Sequence, residues 1–419
     1  MLPQPPCPLG HFGELPHMSG PLAGIRVIDL TTVVLGPVAT QILGDMGAEV
    51  IKVETPDGGD PVRGLGPARH PGMGAYFLNV NRNKKSLVLD LKRPAAHAAL
   101  LRLAGTADVF VHNMRPGAAA RLGIDYGAIR AASPRIVYAW ASGYRPDSAN
   151  RDRAAFDDII QGESGMAAIN APQSGSEKAA PRYLPMAVSD KICGHALASA
   201  IGMALFHRER TGAGQQVHVP MMETMAAFNL VDHLWHGVLG EPEKGLGYPR
   251  MFTPYRRPYA TRDGHVCLLA TSDAQWLRLF GAIDHPQMAD DPRYATIAGR
   301  TEHIDALYTL VAERMLTRTT AEWRQRLDEF DVPNGGVNDL PGLVADPYLR
   351  DTGFFQPFEH PSEGPVVMMA IPTSFYGSPG DIRCLAPRLG EHTEELLREL
   401  GYSEPQIAEI IFPTSYPPP

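Results

Sequence analysis

The stretch Gly24–Glu54, G-I-R-V-I-D-L-T-T-V-V-L-G-P-V-A-T-Q-I-L-G-D-M-G-A-E-V-I-K-V-E, decides the fold. Ile25 to Leu30 is apolar and β-branched, Pro37 to Met46 carries helical spacing, and Glu49 to Glu54 returns to strand character. Strand, helix and strand in so short a span make a βαβ unit, parallel and right-handed. A dinucleotide site would want G-x-G-x-x-G in the first turn and an acidic residue ending the second strand. Glu54 supplies the acid, but the turn T-T-V-V-L-G-P has one glycine, which weighs against NAD. Further strands are expected at Ser86–Leu91, Asp108–His112 and Arg135–Ala141, with helical runs near 94–104 and 124–132. Together they predict an open α/β layer structure.

Beyond these elements lies Met186–Met222, M-A-V-S-D-K-I-C-G-H-A-L-A-S-A-I-G-M-A-L-F-H-R-E-R-T-G-A-G-Q-Q-V-H-V-P-M-M. Ile192, Ala196, Ile201, Ala204 and Leu205 recur at helical spacing, so Asp190 stands where a helix should begin. The helix should end at Thr211-Gly212-Ala213-Gly214, and Gln216 to Val219 alternates like a short strand. An Asp ahead of a helix is an N-cap in its ordinary role. Cap and nucleophile are compatible, because donors at a helix start keep a carboxylate ionised and stabilise charge developing beside it.

A chain of 419 residues with 44% hydrophobic content can bury a large core and suggests two or three domains. A formal charge of −8 gives no basic field for nucleic acid. Cys7, Cys193, Cys267 and Cys384 are scattered without a C-x-x-C pair, which argues against a zinc site or disulfide framework and fits a reducing cytoplasm. Residues 1–20 lack an apolar run and a basic start, so they read as a flexible leader rather than a signal, with Met18 a second candidate start. No segment approaches the roughly 18 apolar residues of a spanning helix, so no membrane role is expected.

Asp157 and Asp158, in A-F-D-D-I-I-Q-G-E-S-G, could simply begin a helix. Residues 171–183 form a turn-rich loop, a candidate cover for a site at Asp190. Composition shifts to Gly, Pro and charge over 241–257, the mark of a linker. Beyond it, a hairpin signal at Arg262-Asp263-Gly264 and helices at 273–283, 301–316 and 320–328 describe a smaller α+β domain. Pro333 to Leu343 is turn-rich, 346–388 reads as strands and extended linker, and a helix is expected at Glu391–Leu400.

The spacing S-D-x-x-x-G at Asp190, then R-x-x-T-G-x-G-Q and V-x-V-P-M, resembles the family III CoA-transferases. So do G-P-V-A-T-Q-I-L-G-D-M-G-A-E-V-I-K-V-E at 36–54, N-R-N-K-K-S at 81–86, N-M-R-P-G at 113–117, P-Y-A-T-R-D-G at 258–264 and L-G-E-H-T at 389–393. The resemblance, over about residues 21–403, implies a Rossmann-like large domain and a smaller α+β domain in an interlocked homodimer. The domains would be 21–240 and 336–419 for the large one and 258–335 for the small one.

The resemblance further implies a coenzyme A cleft lined by Val33, Leu89, Lys92, Asn113, Met114, Ala118, Arg121 and Leu122. An acyl pocket would be formed by Thr32, Val34, Tyr76, Phe156, Asp157 and Met221, with Asp190 as catalytic nucleophile. Arg82, Lys84, Lys85 and Lys92 around one strand, and Arg115 and Arg121 after another, are either solvated surface or the cations that CoA phosphates require. A cationic family position is Thr55 here. Phe156 stands where the related racemases carry a catalytic His and cannot take a proton, which counts against racemisation.

An ionised Asp needs no general base, and one thioester is made as another is broken, so neither ATP nor a resident cofactor is expected. The expected activity is transfer of CoA from an acyl-CoA to a carboxylic acid through aspartyl anhydride and aspartyl thioester intermediates. The competing readings are isomerisation or thioester hydrolysis on the same fold, and a CoA-binding protein without turnover. The family's glycine-rich loop is reduced here to Gly245 and Gly247, and a family Gln is Val34, so the pocket is more apolar and should take acids larger than formate or oxalate. Arg256 and Arg257 are either ordinary surface arginines or a clamp for a second carboxylate.

Overall fold

Parallel strands covered on both faces need buried side chains in both directions. In the computed structural model, which describes residues 20–171 and 180–411, six strands form one sheet. They are β1 (Arg26–Leu30), β2 (Glu49–Glu54), β3 (Lys84–Val88), β4 (Val109–His112), β5 (Val137–Ser142) and β6 (Gln216–Pro220). All neighbours are parallel, in the order β3-β2-β1-β4-β5-β6. That order is the doubly wound one, with its topological switch between β1 and β4.

On one face Ile28, Leu30, Ile51, Val53, Leu87, Phe110, Tyr138 and Trp140 pack against helices Pro94–Ala104, Tyr126–Ala132, Thr393–Glu399 and Glu404–Ile411. The two-residue period of a strand sends the intervening side chains to the other face. There it delivers Asp29, Lys52, Glu54, Lys84 and Ser86, all buried. Lys84 Nζ lies 3.1 Å from Asp29 Oδ2, and Lys52 Nζ lies 2.8 Å from Asp60 Oδ2. Burial alone would raise the Asp29 carboxyl, but the facing Lys84 and Lys52 override it and hold it at about 2. Burial in turn brings the Lys84 ammonium down to about 8, against the pull of Asp29.

Two expectations are corrected by this cluster. Lys84 and Arg82 are neither solvated surface nor phosphate ligands, since Lys84 belongs to β3 and Arg82 pairs with buried Asp45 at 2.7 Å. Lys85 is held at the surface by Glu49 and Glu395. Glu54 is not available to a ribose, because it accepts from Arg63 at 2.7 Å and from the Ser86 hydroxyl at 2.7 Å. The dinucleotide reading closes with it.

As the first strand of the order, β3 is an edge, which would leave its ladder groups bare. The returning chain covers it: Gly390 N–H donates to Ser86 Oγ at 2.9 Å and Val88 N–H to Thr393 Oγ1 at 3.0 Å. Arg383 holds the carbonyls of Gly44, Gly47 and Ala48.

The chain divides into two compact units, one of residues 20–157, 187–224 and 353–411, the other of 158–171, 180–186 and 225–352. The second contains the antiparallel strands β7 (Tyr259–Ala260), β8 (His265–Leu268) and β9 (Asn334–Gly336). Their partners are helices Asp273–Ala282, Ile304–Met315 and Thr320–Glu329, around Trp276, Phe280, Leu307 and Trp323. The helix expected at 301–316 is two, Ile297–Glu302 and Ile304–Met315, broken at His303. The segment read as turns at Pro333–Leu343 contributes β9 because β8 offers it a free edge. The first unit closes with an antiparallel hairpin, β10 (Phe355–His360) and β11 (Gly364–Met369). Residues 1–19 and 172–179, and with them the leader and most of the expected covering loop, lie outside the described residues.

Removing Asp29 would leave two buried ammonium groups short of a counter-charge. Asp29→Ala is expected to lose about 3–5 kcal/mol of stability in urea unfolding, whereas a loss under about 1 kcal/mol would contradict the role given to the cluster.

Candidate active site

A doubly wound sheet leaves a crevice at the carboxyl ends of its strands where the winding reverses. A cavity of about 710 Å³ opens there. Its walls come from the turn after β1 (Thr32 to Leu35), the segment after β4 (Asn113 to Arg121), and the end of β5 with the chain that follows it (Ala141 to Gly143, Arg151 to Phe156). Asp190 and Met221 complete it.

The first wall is held from below. Val33 has φ 70, an unusual conformation for a β-branched residue. Its N–H donates to Asp60 Oδ1 at 3.1 Å, and Asp60 is the partner of buried Lys52, whose ammonium also donates to Thr31 O. Thr32 N–H donates to Asn113 Oδ1 at 3.0 Å while Asn113 Nδ2 donates to Thr32 O at 2.8 Å, tying the two walls at the switch point. A Cβ at Gly36 would fall 2.1 Å from Thr31 Cβ, so the turn can close only with glycine. Helix Leu35–Asp45 starts at the cavity, and the amides of its first turn have no intrahelical acceptor.

The second wall rests on a buried histidine. His112 Nδ1 accepts from Met114 N–H at 3.1 Å, and its Nε2 faces Tyr138 Oη at 2.7 Å, whose hydroxyl donates to Ile124 O. Burial, then His218, pushes His112 down to about 4, so the ring stays neutral and keeps the accepting nitrogen that shapes the Asn113-Met114 turn.

Helix Val188–Thr211 begins two residues before Asp190, with Ala187 as N-cap, which corrects the capping assignment. Asp190 is in the first turn, and its N–H donates to Asp157 Oδ1 at 3.0 Å. A Cβ at Gly194 would fall 2.6 Å from Leu35 O, so this glycine lets the helix bring Asp190 close to the start of helix Leu35–Asp45. The half-buried Asp190 carboxyl is pushed up to about 7, first by desolvation and then by the neighbouring Asp157. That corrects the expectation of an ordinary ionised Asp: near neutrality the Asp190 carboxyl is a mixture of acid and carboxylate. Tyr76, half-buried, is raised by burial and then by Asp190 and Asp157, which places its hydroxyl in the same field.

Of the residues singled out in the sequence, the cavity brings together Thr32, Val33, Val34, Asn113, Met114, Ala118, Arg121, Phe156, Asp190 and Met221. Asp157 touches Asp190 from beside it. Leu89 is buried in the apolar core and Leu122 packs against that core, while Lys92 is exposed and lies off the lining. Arg257 lines a different cavity, with Tyr255 and Tyr259 in the second unit. Sequence reading missed Arg151, Asp152 and Arg153 on the third wall; their position after the fifth strand of an open sheet was the available signal. Arg115 and Arg121 have no carboxylate partner among the described residues, Arg151 lies 3.3 Å from Asp152, and Arg153 stacks over Tyr144 at 5.4 Å. Among the described residues no group of three His, Cys, Asp or Glu side chains is placed to hold a metal.

A model of the family described as CoA-transferase family III matches residues 22–393. The succinate–glutarate CoA-transferase of Agrobacterium fabrum is 33% identical over 402 residues, 92% of this chain and 97% of its own. The succinyl-CoA:glutarate CoA-transferase of Homo sapiens is 31% identical over 395 residues, 93% of this chain and 89% of its own. The orthorhombic crystal structure of Rv3272 from M. tuberculosis aligns with a TM-score of 0.77 at 28% identity, covering 90% of this chain and 99% of that one.

An acid raised in the folded state is stabilised below its unfolded value near 4 and loses that stability as pH climbs through about 7. Asp190→Asn should therefore melt about 2–4 °C above the native protein at pH 8, a modest gain because the group is half-exposed to solvent. The gap should close by pH 4, and an equal gap at both pH values would contradict the raised carboxyl.

Proposed function

The chain belongs to CoA-transferase family III, and on that footing we propose that it moves coenzyme A from an acyl thioester to a free carboxylate by way of the Asp190 carboxyl. The observation that carries this reading is a single half-buried carboxylate on the cavity at the sheet's switch point, with an acid beside it and a helix start across from it.

The Asp190 carboxylate attacks the thioester carbonyl, and the C–S bond breaks to give an acyl–aspartyl anhydride and CoA thiolate. The thiolate attacks the aspartyl carbonyl, releasing the donor acid and leaving an aspartyl-CoA thioester. The acceptor carboxylate then attacks that carbonyl and expels the thiolate, which takes the new acyl group and restores Asp190. No proton is gained or lost over the cycle, and no resident cofactor is needed.

Each tetrahedral intermediate carries an oxyanion, and the amides opening helix Leu35–Asp45 are the donors we assign to it. At the start of the Asp190 helix, the Asp190 N–H is already given to Asp157. A desolvated carboxylate is a stronger nucleophile than a hydrated one, and a bound thioester displaces the remaining water. Arg115, Arg121, Arg151 and Arg153 on the rim suit the CoA diphosphate and 3′-phosphate, with Asn113, Met114 and Ala118 along the pantetheine. Thr32, Val34, Tyr76, Phe156, Asp157 and Met221 would enclose the acyl group, and the apolar Val34 and Phe156 favour acids longer than oxalate.

We place the protein in the cytoplasm as a homodimer, with the small domain over 258–335. Among the described residues no helix is long and apolar enough to cross a membrane.

Exchange between succinyl-CoA and glutarate should be ping-pong, and Asp190→Ala should lower kcat by at least about 10⁴-fold. Turnover should fall below pH 7 as Asp190 takes up a proton. Exchange that survives Asp190→Ala would overturn the proposal, and CoA release without transfer would favour thioester hydrolysis.

A further inference from the structure

In the left-handed region of backbone space a Cβ crowds the following carbonyl, and a second branch at Cβ makes the crowding worse. Among the described residues, five other than glycine have φ between 45 and 70. Asn83, Asp284 and Asp331 are of types that tolerate it, and Val33, with φ 70, is the one β-branched member. A valine does not take this backbone of its own accord, so its surroundings must hold it there.

The holder is a buried ion pair. Asp60 Oδ1 accepts from Val33 N–H and from Val62 N–H, both at 3.1 Å, and Asp60 Oδ2 takes Lys52 Nζ at 2.8 Å. The same ammonium donates to Thr31 O at 2.8 Å, so the turn is gripped at two residues. Asp60 N–H donates to Glu54 Oε1 at 3.0 Å, and Glu54 is itself fixed by Arg63. Lys52 and Asp60 are at most 1% exposed, which leaves the pair little freedom. Downstream of the grip, Val34 and Leu35 line the cavity that holds Asp190, and the N–H groups of Val34, Leu35 and Gly36 donate to no described residue. A left-handed residue followed by right-handed ones turns successive N–H groups to one side, the geometry that receives an anion.

We infer that Lys52 and Asp60 are positioning residues of the transfer reaction: through the hydrogen bond from Val33 N–H to Asp60 they hold the turn that presents these amides to the oxyanion. The assignment rests on the transferase reading above. Neither residue lines the cavity, so each acts through the backbone of Thr31 and Val33. An oxyanion forms only on the way to each tetrahedral intermediate, so a displaced turn slows turnover while substrate binding stays nearly as it was. Glycine takes the left-handed region at no steric cost, so Val33→Gly would make the holder largely dispensable.

The test measures kcat and KM for succinyl-CoA, with glutarate as acceptor, in the native protein, Asp60→Asn, Val33→Gly and the two combined. In Asp60→Asn the amide oxygen goes to the Lys52 ammonium and the NH2 group turns to Val33 N–H, where donor meets donor. There kcat should fall at least about 30-fold with KM changed less than about threefold. On the Val33→Gly background the same substitution should cost less than about threefold in kcat. Equal losses on both backgrounds, a loss carried mainly by KM, or no loss in Asp60→Asn would overturn the assignment. Should Asp60→Asn not fold, Lys52→Met with Asp60→Ala, which leaves no buried charge alone, carries the same comparison. A native protein that transfers CoA to no acid would instead overturn the transferase reading on which the assignment rests.

Discussion

The turn after β1 exists because two buried lysines hold it. Lys52 reaches Thr31 O and Asp60 Oδ2 together, and Asp60 in turn holds Val33 in its strained conformation. Lys84 and Asp29 lock the strand below, with Thr31 and Thr40 hydroxyls on the same carboxylate. A buried ion cluster is not a cheap source of stability. It is a precise one, since each member has few geometries that satisfy it, and the cavity wall inherits that precision. The covered edge of β3 extends the same frame, with Asn83 and Ser86 receiving the chain that returns from the C-terminal side.

On that frame the reactive group is made by placing two acids together. Asp157 accepts the Asp190 N–H, which fixes the backbone, and its charge opposes ionisation of the Asp190 carboxyl. Desolvation acts in the same direction and is the larger effect. A carboxylate kept short of hydration is costly to hold ionised and better matched to a thioester carbonyl carbon, whose developing oxyanion the amides opening helix Leu35–Asp45 would receive. Stability and reactivity at Asp190 are therefore opposed, as is common where a site stores strain.

Much of this was legible in the sequence. Glu49–Glu54 is a strand with the limits its alternation suggests, helix Pro94–Ala104 likewise, and Asp190 does lie on the main cavity. What escaped is what depends on tertiary context. Charge in N-R-N-K-K-S reads as surface because composition does not say which face of an edge strand is covered; only the returning chain and helix Leu35–Asp45 bury Arg82 and Lys84. The start of the Asp190 helix was placed two residues late because its N-cap, Ala187, has no capping side chain, whereas Asp190 carries the residue type of an ordinary cap. Arg151 to Arg153 follow a Pro-Asp-Ser-Ala-Asn turn that looks like any loop until the strand order sets it beside Asn113.

The central claim is that Asp190 itself carries the transferred group. Its most direct test is peptide mass spectrometry of protein mixed with succinyl-CoA, with glutarate absent, and quenched with hydroxylamine. The account predicts a hydroxamate confined to the peptide containing Asp190 and absent from Asp190→Asn. A label on any other residue, or none while CoA is being exchanged, would contradict it.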